Sequence, residues 1–410
     1  MPGARGPVSR QFGGILVSRA LGSLFQAVAL VLLARSVTPG VFGVVSVVIA
    51  VVGFVLVVTG LGMSIFVPWA RARQEHDAVA SALRVNTWSN VASAVVLVTA
   101  LAWWAASGGH PVAVALVGVS LALERNVDTW LGVPVADGES VVAVVSVLVR
   151  RTVCLVVMVP ALLAGMDPVL AFTGGLTVGA VAGQVHVRRA VRGVEGSASR
   201  VPVREVVSRA APFLVANTTG QARTLDVTIV GLVAGPLAAG VYAAATKLVQ
   251  PVLLVPQALA SVLVPHATRL EPARARRLGA RFAGALAGCA VLATPLVVWR
   301  EELVVLVLGE QYRGAGLTFA VALAGVGFIA WATTIGAILQ GQGRQRLVAR
   351  LGVVFAVLVL GGVALGGRLA GPAGAAVGLT VSWAAYAVAL AVLLASPARR
   401  NADEGRGSAG

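Results

Sequence analysis

A chain of 410 residues that is 58% hydrophobic and only 12% charged, with a mean hydropathy of +0.91, is too apolar for a water-soluble domain, whose apolar share sits near one half. At about 20 apolar residues per crossing, that content supplies roughly a dozen membrane spans and leaves no room for a catalytic domain. The formal net charge of +16 would suggest nucleic acid in a soluble protein, but in a polytopic chain the placement of the charges decides their meaning.

Taken in chain order, apolar windows bounded by polar or Gly/Pro clusters predict twelve helices over 12–34, 41–66, 82–106, 111–134, 141–164, 168–187, 208–234, 239–264, 279–300, 314–338, 347–367 and 372–396. The expected fold class is an all-α polytopic membrane protein. The first window, Phe12 to Ala34, is long enough to span and lacks a small-residue cleavage context, so it is read as a span and not a leader. Cys154 and Cys289 both lie inside apolar runs and read as small core residues, not as a disulfide or thiolate metal site.

Assigning loops alternately, and counting a charge at the very end of a span with its adjacent loop, puts 22 of the 32 Lys and Arg on the N-terminal side and 4 on the other, with 6 inside spans. The positive-inside rule then predicts a multi-pass protein of the cytoplasmic (inner) membrane with both termini cytoplasmic. The longest connection, His186 to Ser208, carries Arg188, Arg189, Arg192, Arg200 and Arg204. It predicts an N-terminal six-helix bundle over 1–187, a basic cytoplasmic linker over 188–207, a C-terminal bundle over 208–396 and a disordered tail over 397–410. Topogenic charge beside anionic lipid accounts for the basic linker better than a specific partner does. The outer loops are short, the largest being Arg300 to Gly314, which counts against a glycan polymerase or ligase.

The halves echo each other. At a constant offset of 197, Gly43 matches Gly240, Pro68 matches Pro265 and Arg84 matches Arg281. With a six-plus-six hydropathy pattern, this favours a parallel internal repeat whose substrate cavity lies between the halves near the midplane.

The first span with its internal Arg19, the ARSVTPGVFGVVS turn into the second span, the stretch LDVTIVGLVAGPLAAGVYAAATKLVQPVLLVPQALASVLVP (225–265) and the segment LGEQYRGAG (308–316) carry a family resemblance. The chain resembles the polysaccharide-transport, or O-antigen flippase (Wzx-like), branch of the MOP exporter superfamily over nearly its whole length. That resemblance implies twelve helices in two pseudo-symmetric six-helix bundles, a MATE-like arrangement. It also implies alternating-access movement of a polyprenyl-diphosphate-linked oligosaccharide from the cytoplasmic to the outer leaflet, for cell-surface polysaccharide biosynthesis. The chain departs from the family pattern in having a single Lys and in being short.

Nine ionisable residues fall inside the predicted spans: Arg19, Glu124, Arg125, Asp128, Arg150, Arg151, Arg223, Asp226 and Lys247. Each costs roughly 2.5–3.5 kcal/mol at a helix centre, so they need pairing or a wet cavity. Counting at about 1.5 Å per residue from a turn near Gly138, Glu124, Arg125, Asp128, Arg150 and Arg151 lie about 15–21 Å deep and level with one another. Glu124 and Asp128 share a helix face, whereas adjacent Arg residues diverge by about 100°, so one of Arg150 and Arg151 is expected to remain free. The alternative is that 132–140 belongs to a longer cytoplasmic projection, which would put these charges at the interface.

The seventh and eighth spans meet near Pro236, with Asp226 and Lys247 level on either side. Asp226 can hold Arg223 or Lys247 and leave the other in the cavity; structural pair and ligand site both fit it. Arg19 and Lys247 lack a local counter-charge and are assigned to the cavity, although Arg19 can also snorkel to the headgroups.

An excess of cations suits a phosphorylated head group, and Arg offers a planar donor fork for phosphate oxygens. Arg19, Arg150, Arg151, Arg223 and Lys247 are therefore the candidate diphosphate ligands, with Glu124, Asp128 and Asp226 as charge partners or coupling groups. No P-loop surrounds Lys247, and His76, His110, His186 and His266 lack metal-ligand spacing, so neither enzyme activity nor a metal or other cofactor is expected. Asn217 to Gln221 predict a bent, cavity-lining seventh span, with interhelical hydrogen bonding as the alternative. The expected partners are the lipid-linked glycan, membrane lipid and glycan-assembly enzymes, and no nucleic acid. The rival readings are an ion-coupled multidrug exporter of the same superfamily, which would need Asp226 or Glu124, and a membrane glycan polymerase or ligase.

Overall fold

The computed structural model describes residues 8–192, 201–267, 274, 277–278, 281–282 and 294–396. Among these, every regular element is helical: α1 (Val8–Ser36), α2 (Pro39–Thr59), α3 (Met63–Ala72), α4 (His76–Gly108), α5 (Leu116–Ala136), α6 (Ser140–Leu163), α7 (Pro168–Ala190), α8 (Val203–Ala222), α9 (Asp226–Ala267), α10 (Thr294–Val298), α11 (Arg300–Leu308), α12 (Gly316–Gly341) and α13 (Gln345–Ala395).

Start signals follow from local chemistry. The Thr38 hydroxyl accepts from the Val41 N–H ahead of α2, and the Asp167 carboxylate accepts from the Leu170 N–H ahead of α7, each with Pro at the first helical position.

Seven helices are long and apolar enough to cross a membrane. Two of them each hold two crossings. α9 breaks at Gly235 (φ +86°) and α13 at Ala370–Gly371, where Gly371 has φ +60°; both backbone turns demand glycine. Further crossings are α1 and α5 with its three mid-helix charges; the span expected over 279–300 lies largely outside the described residues. Segment 193–200 of the predicted linker and the tail 397–410 also lie outside them.

The structure corrects two boundaries. The span expected over 41–66 is two helices, because Leu61 and Gly62 adopt positive φ between α2 and α3. There Gly62 meets α8 closely: a Cβ on it would stand 2.6 Å from Leu214 N and 2.7 Å from Ala210 O. The apolar run continues through the break, which hides it from hydropathy. The expected loop 300–314 instead contains α11 and a folded turn, because the segment REELVVLVL opens on three charged residues ahead of its apolar run; Glu301 accepts from the Gly314 and Gly316 N–H groups at 3.0 and 3.2 Å. By contrast, α5 and α6 run as single helices to a tight turn at Asp137–Glu139, where Gly138 has φ +88°.

Glycine sets the close helix contacts. On α7, Gly175, Gly179 and Gly183 form a stripe at i, i+4, i+8 against α6, whose Cys154 O, Arg150 O and Arg150 side chain would each lie 2.5–2.7 Å from an added Cβ. The two arms of α13 pack backbone to backbone through Gly362–Gly378 and Gly366–Gly374. The main apolar core runs across both halves and includes Phe42, Tyr242, Tyr312 and Ile335. A second cluster joins Met63, Phe66, Leu83 and Trp130 to Val206 and Ala210. Val95, Val96, Leu163, Leu232 and Leu369 are exposed on the outside, as a lipid-facing surface requires.

A candidate anion site between the two halves

Between the halves lies a cavity of about 620 Å³. The first half contributes Gln26 and Ser46 from α1 and α2, Glu124 and Arg125 from α5, and Arg151 from α6. The second contributes Gln221, Arg223, Asp226, Lys247 and Trp383. Six of the nine intramembrane charges therefore meet at one chamber, four cations against two carboxylates.

The local fold explains who faces it. Span seven changes geometry in its middle, with α8 ending at Ala222, a 3-10 turn over Arg223–Leu225 and α9 starting at Asp226. That irregular stretch, next to the polar run Asn217 to Gln221, presents Gln221, Arg223, Thr224 and Asp226 to the cavity. It is the bent helix expected from the sequence.

Arg150 and Arg151 diverge as adjacent helical residues must, but each finds its own carboxylate. Arg150 turns toward the glycine stripe of α7, is almost fully buried, and donates to Asp128 at 2.8 Å. It does not line the cavity. Arg151 does line it and pairs with Glu124 at 2.8 Å, both side chains 15% exposed. The expectation that one of the two remains free is thus corrected. The second carboxylate of α5 lies one turn on, and its helix face reaches both Arg positions.

The uncommitted cation on this side is Arg125, which the sequence placed at the right depth but with no role. It lines the cavity and has no carboxylate within 4 Å among the described residues.

In the second half, Asp226 holds neither Arg223 nor Lys247 as an ion pair, against the sequence expectation. Its Oδ2 accepts from the Tyr242 hydroxyl at 2.9 Å and its Oδ1 from the Val227 N–H at 2.8 Å. Tyr242, fully buried on the eighth span, was the unforeseen partner. Arg223 instead lies over the Trp383 ring, 5.6 Å from its centroid. Lys247 likewise has no carboxylate within 4 Å among the described residues. Arg19 stands on α1, at a position whose side chain lies outside the described residues.

Among the described residues the arrangement leaves Arg125, Arg223 and Lys247 as donors without a paired carboxylate, in a partly desolvated chamber where Coulomb attraction is stronger than at the surface. Neutral Gln26, Gln221, Gln250 and Thr333 share the wall. No group of three or more His, Cys, Asp or Glu suited to a metal occurs among the described residues.

Two pseudo-symmetric six-helix bundles around an inter-bundle cavity define the fold of the MOP superfamily of transporters. An inward-facing multidrug-resistance MATE transporter of that superfamily superposes with a TM-score of 0.70 at 13% identity, covering 93% of this chain and 97% of that one. The Vibrio cholerae MATE transporter in its bent form gives 0.64 at 13% identity, covering 94% and 96%. A MOP transporter from Pyrococcus furiosus, described as having a binding pocket of reverse polarity that suggests a different function, gives 0.63 at 11% identity, covering 95% and 96%. The profile of the polysaccharide biosynthesis protein family matches residues 32–317, and the chain belongs to that family. No curated protein sequence matches it.

Proposed function

We propose that this protein moves a polyprenyl-diphosphate-linked oligosaccharide across the cytoplasmic membrane by alternating access, without making or breaking a covalent bond. One observation carries the reading: the inter-bundle cavity presents Arg125, Arg223 and Lys247 uncommitted, while both of its carboxylates are engaged, Glu124 by Arg151 and Asp226 by Tyr242 and Val227. A dianionic head group complements that balance, and the Arg forks suit phosphate oxygens. An organic cation would meet repulsion there, which sets the multidrug reading behind.

In this scheme the bundles 1–187 and 208–396 rock about the cavity and 188–207 links them. Both termini and the basic linker face the cytoplasm by the charge rule, so the turns at Gly235 and Gly371 face outward. The polyprenyl tail stays in lipid. Arg151, with Glu124, forms a reserve cation beside the site, and Arg150 with Asp128 serves the packing of α6. Arg19 is a further candidate ligand from α1. Enzymes of glycan assembly would supply and consume the lipid on the two faces.

The test is translocation in vesicles holding the purified protein and a fluorescent polyprenyl-diphosphate oligosaccharide. Wild type should equilibrate the lipid between leaflets, and Arg223→Gln or Lys247→Gln should slow it by about tenfold or more, the worth of one charge-assisted hydrogen bond. Extrusion of tetraphenylphosphonium without movement of the lipid would overturn the reading in favour of multidrug export.

A further inference from the structure

The aromatic wall of the cavity has no part in holding a diphosphate, yet it is built with care. Trp383, on the second arm of α13, lines the chamber and is 8% exposed. Phe355 approaches its ring at 4.5 Å and 61°, and Tyr386 at 6.0 Å and 67°. Phe355 and Tyr386 are themselves stacked at 4.2 Å and 12°. Two rings, one from each arm of one helical hairpin, thus fix the indole plane, and the glycine pairs of that hairpin hold the arms together. Arg223 is the polar side chain over the ring.

We propose that Trp383 is the platform for the sugar attached to the diphosphate, and that Arg223 covers this platform until phosphate draws it away. This rests on the transport reading above and names how the site tells its cargo from the bare lipid carrier. The C–H face of a hexopyranose is apolar and slightly positive, and the indole face carries the negative lobe of its quadrupole, so the two stack. Arg223 occupies that face through a cation–π contact. Phosphate competes with charge-assisted hydrogen bonds, which are the stronger, so it takes the guanidinium and leaves the indole open one side chain away.

Phosphate capture therefore precedes sugar stacking. A carrier without a sugar engages Arg223 but leaves the uncovered ring without a partner. The hydroxyls at the sugar rim would meet Gln221, Gln250 and Thr333, which line the same chamber.

The experiment measures the affinity of the purified full-length protein for polyprenyl diphosphate and for polyprenyl diphosphate bearing one hexose. Wild type should prefer the glycosylated lipid by about tenfold, in line with ring stacking on an aromatic side chain. Trp383→Leu should bring the ratio to about one without weakening affinity for the bare lipid, since phosphate no longer has to draw Arg223 off the ring, and Trp383→Phe, the milder change, should give an intermediate ratio. Arg223→Gln should weaken binding of both lipids and preserve the preference. Equal wild-type affinities, or a Trp383→Phe preference as large as that of wild type, would overturn the platform alone. Failure of wild type to bind either lipid would overturn the transport reading and the platform with it.

Discussion

Gly43 and Gly240 pack against each other backbone to backbone where α2 crosses the eighth span. A Cβ on Gly43 would stand 2.0 Å from Pro236 O and 2.7 Å from Gly240 N; a Cβ on Gly240 would stand 1.7 Å from Pro39 O and 3.1 Å from Gly43 N. Pro39 and Pro236 are separated by the same 197 positions as the two glycines. The contact is therefore self-complementary, as at a two-fold axis, and the axis of the internal repeat passes between these residues. It joins the halves at the Gly235 end, beyond the residues that line the cavity, and this is the end that the proposed orientation turns outward.

The close crossing makes glycine obligatory. Gly43→Ala or Gly240→Ala should cost about 1–3 kcal/mol, the usual penalty of overpacking, and lower the thermal unfolding temperature of the purified protein. Gly361, with nothing within 4 Å of its would-be Cβ, is the control. Gly361→Ala should leave stability unchanged or raise it by up to about 1 kcal/mol. Equal effects at 43 and 361 would remove the close crossing from the account.

The turn after α11 packs at the same end. Gln311 Nε2 donates to Ala34 O at 2.6 Å in the last turn of α1, and fully buried Tyr312 meets Phe42 edge-on at 6.3 Å. The Tyr312 hydroxyl is buried without a partner among the described residues. Tyr312→Phe should therefore be neutral or gain about 1 kcal/mol by removing an unsatisfied group, whereas Tyr312→Ala should lose about 3–5 kcal/mol. A cysteine placed at Val44 in the Tyr312→Ala background should react faster with a water-soluble maleimide than in wild type, because the wedge is gone.

The paired arginines of α6 separate stability from binding. Arg150→Gln should destabilise the protein without changing affinity for polyprenyl diphosphate, since Arg150 faces the α7 glycine stripe and not the cavity. Glu124→Gln should do the reverse: Arg151, released into the chamber, should raise that affinity by about tenfold, the lower end of one charge-assisted hydrogen bond. Calorimetric binding and unfolding temperatures on the two variants check both statements, and an affinity loss in Arg150→Gln would contradict the assignment.

Much of this was legible in the sequence because glycine punctuates the chain. Gly138, Gly235 and Gly371 mark turns that hydropathy alone would blur, and the helical rise then puts Glu124, Arg125, Arg151, Arg223, Asp226 and Lys247 at common depths. Rise fixes depth but not azimuth, so the sequence left open which of Arg150 and Arg151 faces the chamber. It is the α7 stripe Gly175, Gly179 and Gly183, read only with the partner helix in place, that settles it. Tyr242 and Trp383 were illegible for a related reason: an aromatic residue in an apolar run is equally at home in the core. The break at Leu61–Gly62 was hidden by uninterrupted apolar residues on both sides.

The most direct measurement is the affinity of the purified protein for polyprenyl diphosphate before and after Arg125→Gln, Arg223→Gln and Lys247→Gln are combined. Three charge-assisted contacts at about 1.5–3 kcal/mol each predict a loss of at least about a hundredfold even with partial compensation, together with a flatter dependence on salt. A folded triple variant that binds the lipid within about twofold of wild type would contradict the account.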